Sequence, residues 1–515
     1  MPKVYKIHPA IGIARVGRSE QGYFLAPEAT GGEPIELSPD GEAPFMGYKD
    51  TAHLMRRQGV RFRIFEYDDG GGELALLREI TAGEAEIEWT VRLASRKAAG
   101  VVMDADQHDE EGTRIVTPGA AFRNLPPPGF NRKDLVATIE LRATAKHFTP
   151  TARPTAPFLG KPFYIGEART DFAGRLVVLG GMGEAATWTQ PPSPLVDFLN
   201  NPGWHDDTAD GSVDAQITFP GTQEPIAAVG AWVITAPPDF APGITPITTL
   251  YDIAVQAQDG LAHGTLSYSM DVQPLFERFA NYYWVNEAGE AWWTLMRDFL
   301  RDAGKLEDNS DPGKSHRMDV LGVVLGGVDL LTGFKLTKRQ KDILERWAEG
   351  QFVPGDDPAR RPLDRGQELD RAALSGGVGG GFFPGIEAGL LLREPTIYSE
   401  RCRLTRGSFT DFGNVPGRLE PGLLTQRMAC PWQADFMECM GTWWPAQRPD
   451  VSRYDAGGGE HRAEWDRGVR SGRPDIPSNR KNMVDRFAQL GVIERMNVQG
   501  EAVFGEKGRD PALEE

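Results

Sequence analysis

The chain of 515 residues is poor in cysteine and histidine, with 3 and 8 of them. So few cysteines exclude the disulfide framework of a small secreted domain, and without a C-x-x-C or H-x-x-x-H pair a zinc site has little support. No stretch reaches the roughly 18 consecutive apolar residues of a membrane span, and the N-terminus lacks the apolar core of a signal peptide. These deficits predict a cytoplasmic protein without a membrane span.

Basic side chains are also in deficit: 56 Lys and Arg face 73 Asp and Glu, which gives a net charge of −17. Nucleic acids and anionic membranes attract basic surfaces, so we expect neither as a partner. A chain of this length can bury a large core without a metal or disulfide to hold it, and it allows roughly two to four domains.

The first half of the sequence has the residue pattern of β-strands. Alternating apolar residues, with many β-branched and aromatic ones, predict strands at 61–67, 86–93, 135–141, 175–179 and 227–235. Turn-forming residues separate them at 68–72, 126–129 and 207–212. We therefore predict a strand-rich domain with β-sheet subdomains over residues 1–240.

Helical periodicity begins after a proline-rich hinge at 236–246. It predicts helices at 247–258, 272–285, 288–303, 338–350 and 478–491. The charged, proline-bearing stretch 356–367 is predicted to be an exposed loop. Strands in one block and helices in the next indicate an α+β protein, with a mainly helical C-terminal domain over 241–515.

Three polar or glycine-rich motifs favour ordinary structural roles. Residues 177–186 (VVLGGMGEAA) resemble a dinucleotide-binding turn, but TWTQPP follows where a helix must begin, so a β-turn is the better interpretation. Residues 376–381 (GGVGGG) lack the Lys-Ser/Thr of a phosphate loop and indicate a close approach to another backbone. The acidic run 204–214 misses the spacing of a calcium loop and predicts a solvated hairpin turn.

The segment 431–449, PWQADFMECMGTWWPAQRP, is the one with residues suited to covalent chemistry. Pro431 suits the first turn of a helix, and Gly441 suits its left-handed end. Between them, Asp435 and Cys439 are four residues apart, which places a carboxylate and a thiol on one helix face. A tryptophan pair follows the glycine. From spacing alone, a packed helix followed by a Trp-Trp turn explains the stretch equally well.

This segment resembles the cofactor segment of the L-lysine 6-oxidase/glycine oxidase family, whose members are amino acid oxidases that depend on cysteine tryptophylquinone. Other segments resemble the family in the same order: 7–17 (IHPAIGIARVG), 61–69 (RFRIFEYDD), 171–181 (DFAGRLVVLGG), 204–211 (WHDDTADG), 383–387 (FPGIE) and 443–450 (WWPAQRPD). The resemblance extends from residue 1 to about residue 450.

The resemblance implies a quinone made from Cys439 and the tryptophan that precedes proline, Trp444, with Trp443 as the alternative. The family aspartate needed for cofactor formation corresponds to Asp435. This chain departs from the family pattern because only four residues lie between Cys439 and Trp444, where the family has a long insertion.

The substrate-binding residues cannot be carried over in the same way. His461 is a catalytic candidate because no other histidine follows the cofactor cysteine. Arg448 is equally suited to binding a substrate carboxylate and to a structural ion pair.

The resemblance further implies an oxidase that deaminates a primary amine of an amino acid or related amine. Dioxygen would accept the electrons, and ammonia and hydrogen peroxide would be released. An FAD-dependent flavoprotein is the expected maturation partner, and a homo-oligomer is expected. Two alternatives stay open: a quinoprotein dehydrogenase with a protein electron acceptor, and a non-catalytic scaffold without the cofactor.

Overall fold

The computed structural model describes residues 3–38, 41–70, 74–102, 121–144, 153–262, 264–330, 336–379, 386–406, 408–411, 415–436, 445–469 and 477–513. The predictions for Cys439, Gly441, Trp443 and Trp444 lie outside these residues.

The N-terminal half consists of strands joined by turns and two short 3-10 helices, Lys97–Ala99 and Arg132–Leu135. The strands are β1 Lys3–His8, β2 Ile11–Arg15, β3 Tyr23–Leu25, β4 Glu36–Ser38, β5 Gly41–Ala43, β6 Arg57–Asp68, β7 Ala75–Ile80, β8 Glu86–Ser95, β9 Ala137–Thr144, β10 Ala156–Phe158, β11 Lys161–Phe163, β12 Gly166–Thr170, β13 Leu176–Gly180, β14 Ala185–Thr187, β15 Trp204–Asp206, β16 Ala209–Thr218, β17 Ile226–Ala227 and β18 Ala231–Ala236.

Twelve of the described strands form one sheet, whose main path runs β12-β13-β6-β2-β18-β16-β8-β9. Most neighbours are antiparallel, but β2 runs parallel to β18 and β3 runs parallel to β6. The sheet curls until its two ends meet, where the hydroxyl of Thr170 in β12 donates to the carbonyl of Thr144 in β9 across 3.0 Å. One hydrophobic cluster, which includes Trp89, Phe62 and Ile87, fills the space that this sheet encloses.

The five predicted strands are confirmed, with ends that shift by up to four residues. Strand β8 shows the expected alternation, since Ile87 and Trp89 are buried while Glu86 and Glu88 are exposed. The predicted turn at 207–212 is wrong, because most of it belongs to β16 in the middle of the sheet.

The α-helices of the described residues all follow the hinge, which confirms the α+β fold class. They are α1 Leu250–Asp259, α2 Gln273–Asn281, α3 Glu290–Arg301, α4 Ala303–Glu307, α5 Lys314–Leu330, α6 Lys338–Ala348, α7 Arg365–Ser375, α8 Trp432–Phe436 and α9 Pro477–Arg486. Further single turns are Tyr268–Val272 (π), Tyr282–Trp284, Leu390–Arg393, Pro395–Ile397, Phe487–Gln489 and Pro511–Leu513 (3-10).

Three helices were not predicted, α4, α5 and α7. Three glycines interrupt the pattern of α5 and lower its helix propensity. The predicted loop 356–367 is wrong after Asp364, whose carboxylate accepts from the backbone N–H of Gln367 and caps α7.

Short hairpins complete the C-terminal half. Their strands are β19 Leu266–Ser267, β20 Phe352–Val353, β21 Tyr398–Glu400, β22 Arg403–Leu404, β23 Ser408–Asp411, β24 Val415–Arg418, β25 Val451–Tyr454, β26 Glu460–Glu464, β27 Val492–Val498 and β28 Glu501–Lys507. A second, larger hydrophobic cluster lies among the helices and contains Trp293, Trp347, Trp432 and Trp465. Within the part of the chain that the structure covers, no helix combines the length and the apolar character needed to cross a membrane.

Candidate active site

Helix α8 carries the predicted cofactor aspartate and begins directly after Pro431, as the sequence predicts. All five of its residues are buried, and Asp435 is only 2% exposed. A carboxylate that is shielded from water in this way can act as an acid or base in a site from which solvent is excluded.

The start of α8 is fixed by the acidic run that the sequence predicted to be solvated. One carboxylate oxygen of Asp206 accepts from the backbone N–H of Trp432 at 3.0 Å and from the ammonium of Lys97 at 2.8 Å. The side chains of Asp206 and Lys97 are both fully buried. The prediction of a solvated hairpin is therefore wrong, because the charge of Asp206 is neutralised inside the protein by a lysine far away in sequence.

Asp210 is a second internal connection from the same run. Its carboxylate accepts from the backbone and the hydroxyl of Thr425 at 2.8 and 2.6 Å, and from the indole N–H of Trp232 at 3.0 Å. These bonds connect the middle of the sheet to the residues that lead into α8.

The glycine-rich turn at 181–184 packs against the same helix. Gln433 donates to the carbonyl of Gly183 at 3.0 Å, and Asp207 accepts from the backbone N–H of Glu184 at 2.9 Å. A side chain at Gly181 would clash with the carboxylate of Asp207, so glycine is required there. Strand β14 follows these residues where a dinucleotide-binding turn requires a helix.

Within the described residues, Asp207 differs from Asp206 in having no cation at ion-pair distance from its carboxylate. Burial raises its pKa to about 8, although the backbone N–H of Glu184 opposes the shift. Its second oxygen, Oδ1, is buried without a hydrogen-bond partner. The protein therefore holds an acid that is largely protonated at neutral pH next to the turn that supports α8.

Arg448 lies on the other side of the predicted cofactor segment and is 1% exposed. Its Nε donates to the carbonyl of Phe436 at 2.7 Å, and its Nη1 donates to the carboxylate of Asp450 at 3.1 Å. Of the two roles left open by the sequence, these contacts support the structural ion pair. They also join the end of α8 to the chain that follows the segment 437–444.

Two further bonds hold that following chain in place. The backbone N–H of Phe240, in the hinge, donates to the carbonyl of Gln447 at 3.1 Å. The backbone N–H of Ala446 donates to the phenol oxygen of Tyr282 at 3.2 Å. Both sides of the predicted cofactor segment are thus attached to buried, hydrogen-bonded structure.

His461 is half-buried in β26, whose residues alternate between exposed and half-buried, and β26 forms a hairpin with β25. It is close to Asp455, whose pKa is lowered mainly by the backbone N–H of Gly459 and to a smaller extent by His461. Within the described residues, His461 is not joined to α8 by a hydrogen bond. The structure therefore brings Asp435, Arg448 and the acidic run together, but does not draw His461 into that group.

Comparison with known proteins places these features in a family. The sequence model for the N-terminal part of L-lysine epsilon oxidases matches residues 8–235, and the model for their C-terminal domain matches residues 314–464. The chain belongs to the L-lysine epsilon-oxidase family. The matched ranges contain the segment with Asp435 and Arg448 and the strand-rich sheet, apart from most of β1 and the last residue of β18.

A curated member of the family, the L-lysine 6-oxidase of Marinomonas mediterranea, is 27% identical over 534 residues, which cover 84% of this chain and 70% of that protein. A crystal structure of the L-Lys epsilon-oxidase of that organism, as a Schiff base intermediate with L-Lys, has a TM-score of 0.75 at 23% identity and covers 99% of this chain and 95% of the other. Another structure of that enzyme gives a TM-score of 0.76 at 22% identity, covering 98% and 95%. These similarities extend the shared fold over nearly the whole chain.

Sequence reasoning missed the residues that support α8, namely Lys97, Asp206 and Asp210. A signal was present, since WHDDTADG is one of the segments that resemble the family.

Proposed function

We propose that this protein is a quinoprotein oxidase that deaminates a primary amine of an amino acid or related amine. Cysteine tryptophylquinone formed from Cys439 and Trp444 would be its cofactor, and dioxygen its electron acceptor. Membership of the L-lysine epsilon-oxidase family supports an amine oxidoreductase. The cofactor, its two residues and the release of hydrogen peroxide and ammonia belong to the proposal.

The bond between Arg448 and Phe436 is the observation that carries this proposal. It joins two points of the chain that lie on either side of Cys439 and Trp444. A cross-link between those side chains needs them to stay within a few ångströms, and tying the chain together at the base of the segment lowers the entropy lost in bringing them together. The short spacing of this chain is thus compatible with the cofactor that the family uses.

Asp435 supplies the base that cross-linking requires. A thiol attacks an activated indole as the thiolate, so a carboxylate nearby favours the reaction by accepting the proton. Asp435 is buried in a helix whose start is fixed by Asp206 and whose end is fixed by Arg448. We assign Asp435 to this proton transfer during cofactor formation.

The quinone, once formed, would supply an electrophile and a two-electron acceptor that no ordinary side chain provides. The residues of this chain would exclude water and move protons around it. His461 is proposed, by elimination only, as a group that accepts a proton from the substrate. His461→Asn should then lower kcat by about 10²-fold or more while the cofactor is retained; an unchanged kcat would remove His461 from the site.

A partner is needed for maturation, because adding oxygen to an indole requires an oxidant. We propose an FAD-dependent flavoprotein, which reduces dioxygen at its flavin. Expression with and without that flavoprotein should give coloured, active enzyme and colourless precursor respectively. Active enzyme from a host without it would contradict the partner.

Intact mass and peroxide release test the function directly. The mature chain should carry two additional oxygens and four fewer hydrogens than its sequence, and each amine oxidised should yield one hydrogen peroxide. A cofactor with turnover but no peroxide would identify a dehydrogenase with a protein acceptor. A free Cys439 thiol in protein expressed with its flavoprotein would identify a non-catalytic scaffold.

A further inference from the structure

A cavity of about 230 Å³ lies where the hinge, the end of α7, the loop 26–34 and strand β27 meet. Its wall includes Arg15, Asp239, Tyr48 and Glu494. Cavities between structural units, with a few polar groups converging on them, are where small ligands usually bind.

Three charged side chains form a buried cluster on one side of this cavity. Nη2 of Arg15 contacts a carboxylate oxygen of Glu387 at 2.5 Å and lies 3.9 Å from Oδ2 of Asp239. Arg15, Glu387 and Asp239 have side chains that are 5%, 0% and 8% exposed. The cluster therefore holds one guanidinium against two carboxylates in a region with little water.

The two carboxylates are not equally satisfied. The other oxygen of Glu387 accepts from the backbone N–H of Val378 at 2.7 Å, so this side chain is fully engaged. Asp239 accepts from the backbone N–H of Ala241 at 2.8 Å through Oδ1, and the guanidinium of Arg15 lies 3.9 Å from its Oδ2. Burial raises the pKa of both carboxyls, and the nearby guanidinium of Arg15 opposes this shift.

The other charged groups of the cavity wall do not supply the missing cation. Arg495 is exposed, and Glu33 and Glu494 add negative charge. Glu494 lies 3.6 Å from Lys507 and so has its own partner. A cation that entered the cavity would meet Asp239 as a buried carboxylate whose guanidinium neighbour, Arg15, is 3.9 Å away.

The charged cluster is connected to the chain that follows the cofactor segment. The carbonyl of Gly376 accepts from Arg15 at 3.0 Å and from the side chain of Gln447 at 3.4 Å. Gln447 also contacts Asp239, since its hydrogen bond lowers the pKa of that carboxyl against the larger effect of burial. Gln447 is three residues from Trp444 in the sequence. The negative side of the cavity is thus attached to the part of the chain proposed to carry the quinone.

We propose that Asp239 binds the ammonium group of the substrate in this cavity and thereby selects amines that arrive as cations. This inference rests on the proposed oxidase function. The site should favour a substrate whose ammonium is several bonds away from its own carboxylate. A substrate carboxylate close to the ammonium would be repelled by Asp239 and Glu494. Asp239 is a specificity-determining residue in this scheme, and the chemistry on the substrate carbon is left to other groups.

Asp239→Asn is the informative variant. Asparagine keeps an oxygen that accepts from Ala241 and removes only the charge. The matched control is Asp357→Asn, since Asp357 makes the same kind of bond to Ala359 at 2.9 Å in the loop that precedes α7, away from the cavity. Asp239→Glu, which keeps the charge, is the conservative variant.

Two measurements are made on mature enzyme whose cofactor content is known from its mass. KM and kcat are determined with n-butylamine, L-lysine and glycine, and the Kd of tert-butylammonium and of neutral tert-butanol is measured by calorimetry. The tert-butyl compounds have no hydrogen on the carbon that bears nitrogen or oxygen, so they cannot be oxidised in this way.

Asp239→Asn should raise KM for n-butylamine and the Kd of tert-butylammonium by about tenfold or more, with kcat within about twofold. The wild type should bind tert-butylammonium at least tenfold more tightly than tert-butanol, and should have a lower KM for L-lysine than for glycine. Asp239→Glu should recover part of the loss, and Asp357→Asn should match the wild type.

Equal effects of Asp239→Asn and Asp357→Asn on KM would overturn the inference. So would equal binding of tert-butylammonium and tert-butanol by the wild type, a result that needs no variant to fold. Failure of the proposed function can be distinguished from these two results, because the intact mass of the wild-type protein would then show no quinone.

Discussion

The guanidinium of Arg448 donates from Nε to the carbonyl of Phe436 across 2.7 Å and pairs through Nη1 with Asp450. Arginine satisfies both acceptors at once because its donors are fixed in one plane. Arg448 therefore holds the end of α8 next to Asp450, the residue directly before β25, without using the residues between them.

Arg448→Met should destabilise the protein by about 3–5 kcal/mol, because the carboxylate of Asp450 would be left buried without its cation. The cofactor content should fall with it, whereas KM of the molecules that do mature should not change. Thermal unfolding, absorbance and steady-state kinetics measure the three effects. Arg301→Met, at an exposed pair with Asp298, is the control and should stay within about 0.5 kcal/mol of the wild type. A KM that rises tenfold would instead favour substrate binding by Arg448.

Cys439→Ala and Trp444→Phe should each abolish the cross-link and turnover, since each removes one half of the thioether. Trp443→Phe should retain the cofactor, because only Trp444 precedes proline as in the family pattern. Peptide mapping of protein expressed with the flavoprotein checks all three variants. Loss of the cofactor in Trp443→Phe together with its retention in Trp444→Phe would exchange the roles of the two tryptophans.

Asp435→Asn should trap the precursor with Cys439 and Trp444 unmodified. The sequence alone predicts that Asp435→Ala leaves the fold intact, but the side chain is buried and truncation would leave an unfilled space. Asparagine keeps the volume and removes the base, so the melting temperature should stay within a few degrees of the wild type. A fully modified Asp435→Asn protein would show that another group takes the proton.

Asp207→Asn should change the pH dependence of stability. The folded pKa of about 8 lies above the ordinary value of 3.8, so the contribution of Asp207 is fully present below about pH 4 and is lost as the pH rises through 8. Asparagine does not titrate and keeps an acceptor for Glu184. The melting temperature of the variant relative to the wild type should therefore increase between pH 5 and pH 8, and a constant difference would show that Asp207 does not titrate in this range.

The strands and most helices could be predicted because their patterns are local. Alternation in β8 and helical periodicity in α2 and α6 reflect which face of each element is buried, and both were visible in the sequence. Helix α7 was missed although Asp364 and Gln367 form a capping box, a signal that outweighs the charged and proline-bearing stretch before it.

The surroundings of the candidate site could not be predicted in the same way. Asp206 and Asp210 look like residues of a solvated turn until Lys97 and Thr425 are known to be next to them, and these partners are far away in the chain. Burial of charge depends on such distant pairs, which periodicity does not report. Family resemblance supplied Cys439, Trp444 and Asp435, but it did not indicate that Arg448 would bond to Phe436.

The two backbone hydrogen bonds of Phe240 bear on when the proposed cofactor can form. Its N–H donates to Gln447, and its carbonyl accepts from the N–H of Ile493 at 2.7 Å, so the hinge lies between two much later parts of the chain. Residue 493 leaves the ribosome long after residues 240 and 447, and only then is the far side of the cofactor segment completed. The flavoprotein proposed for maturation would thus act on a chain in which residues 240, 447 and 493 have already come together.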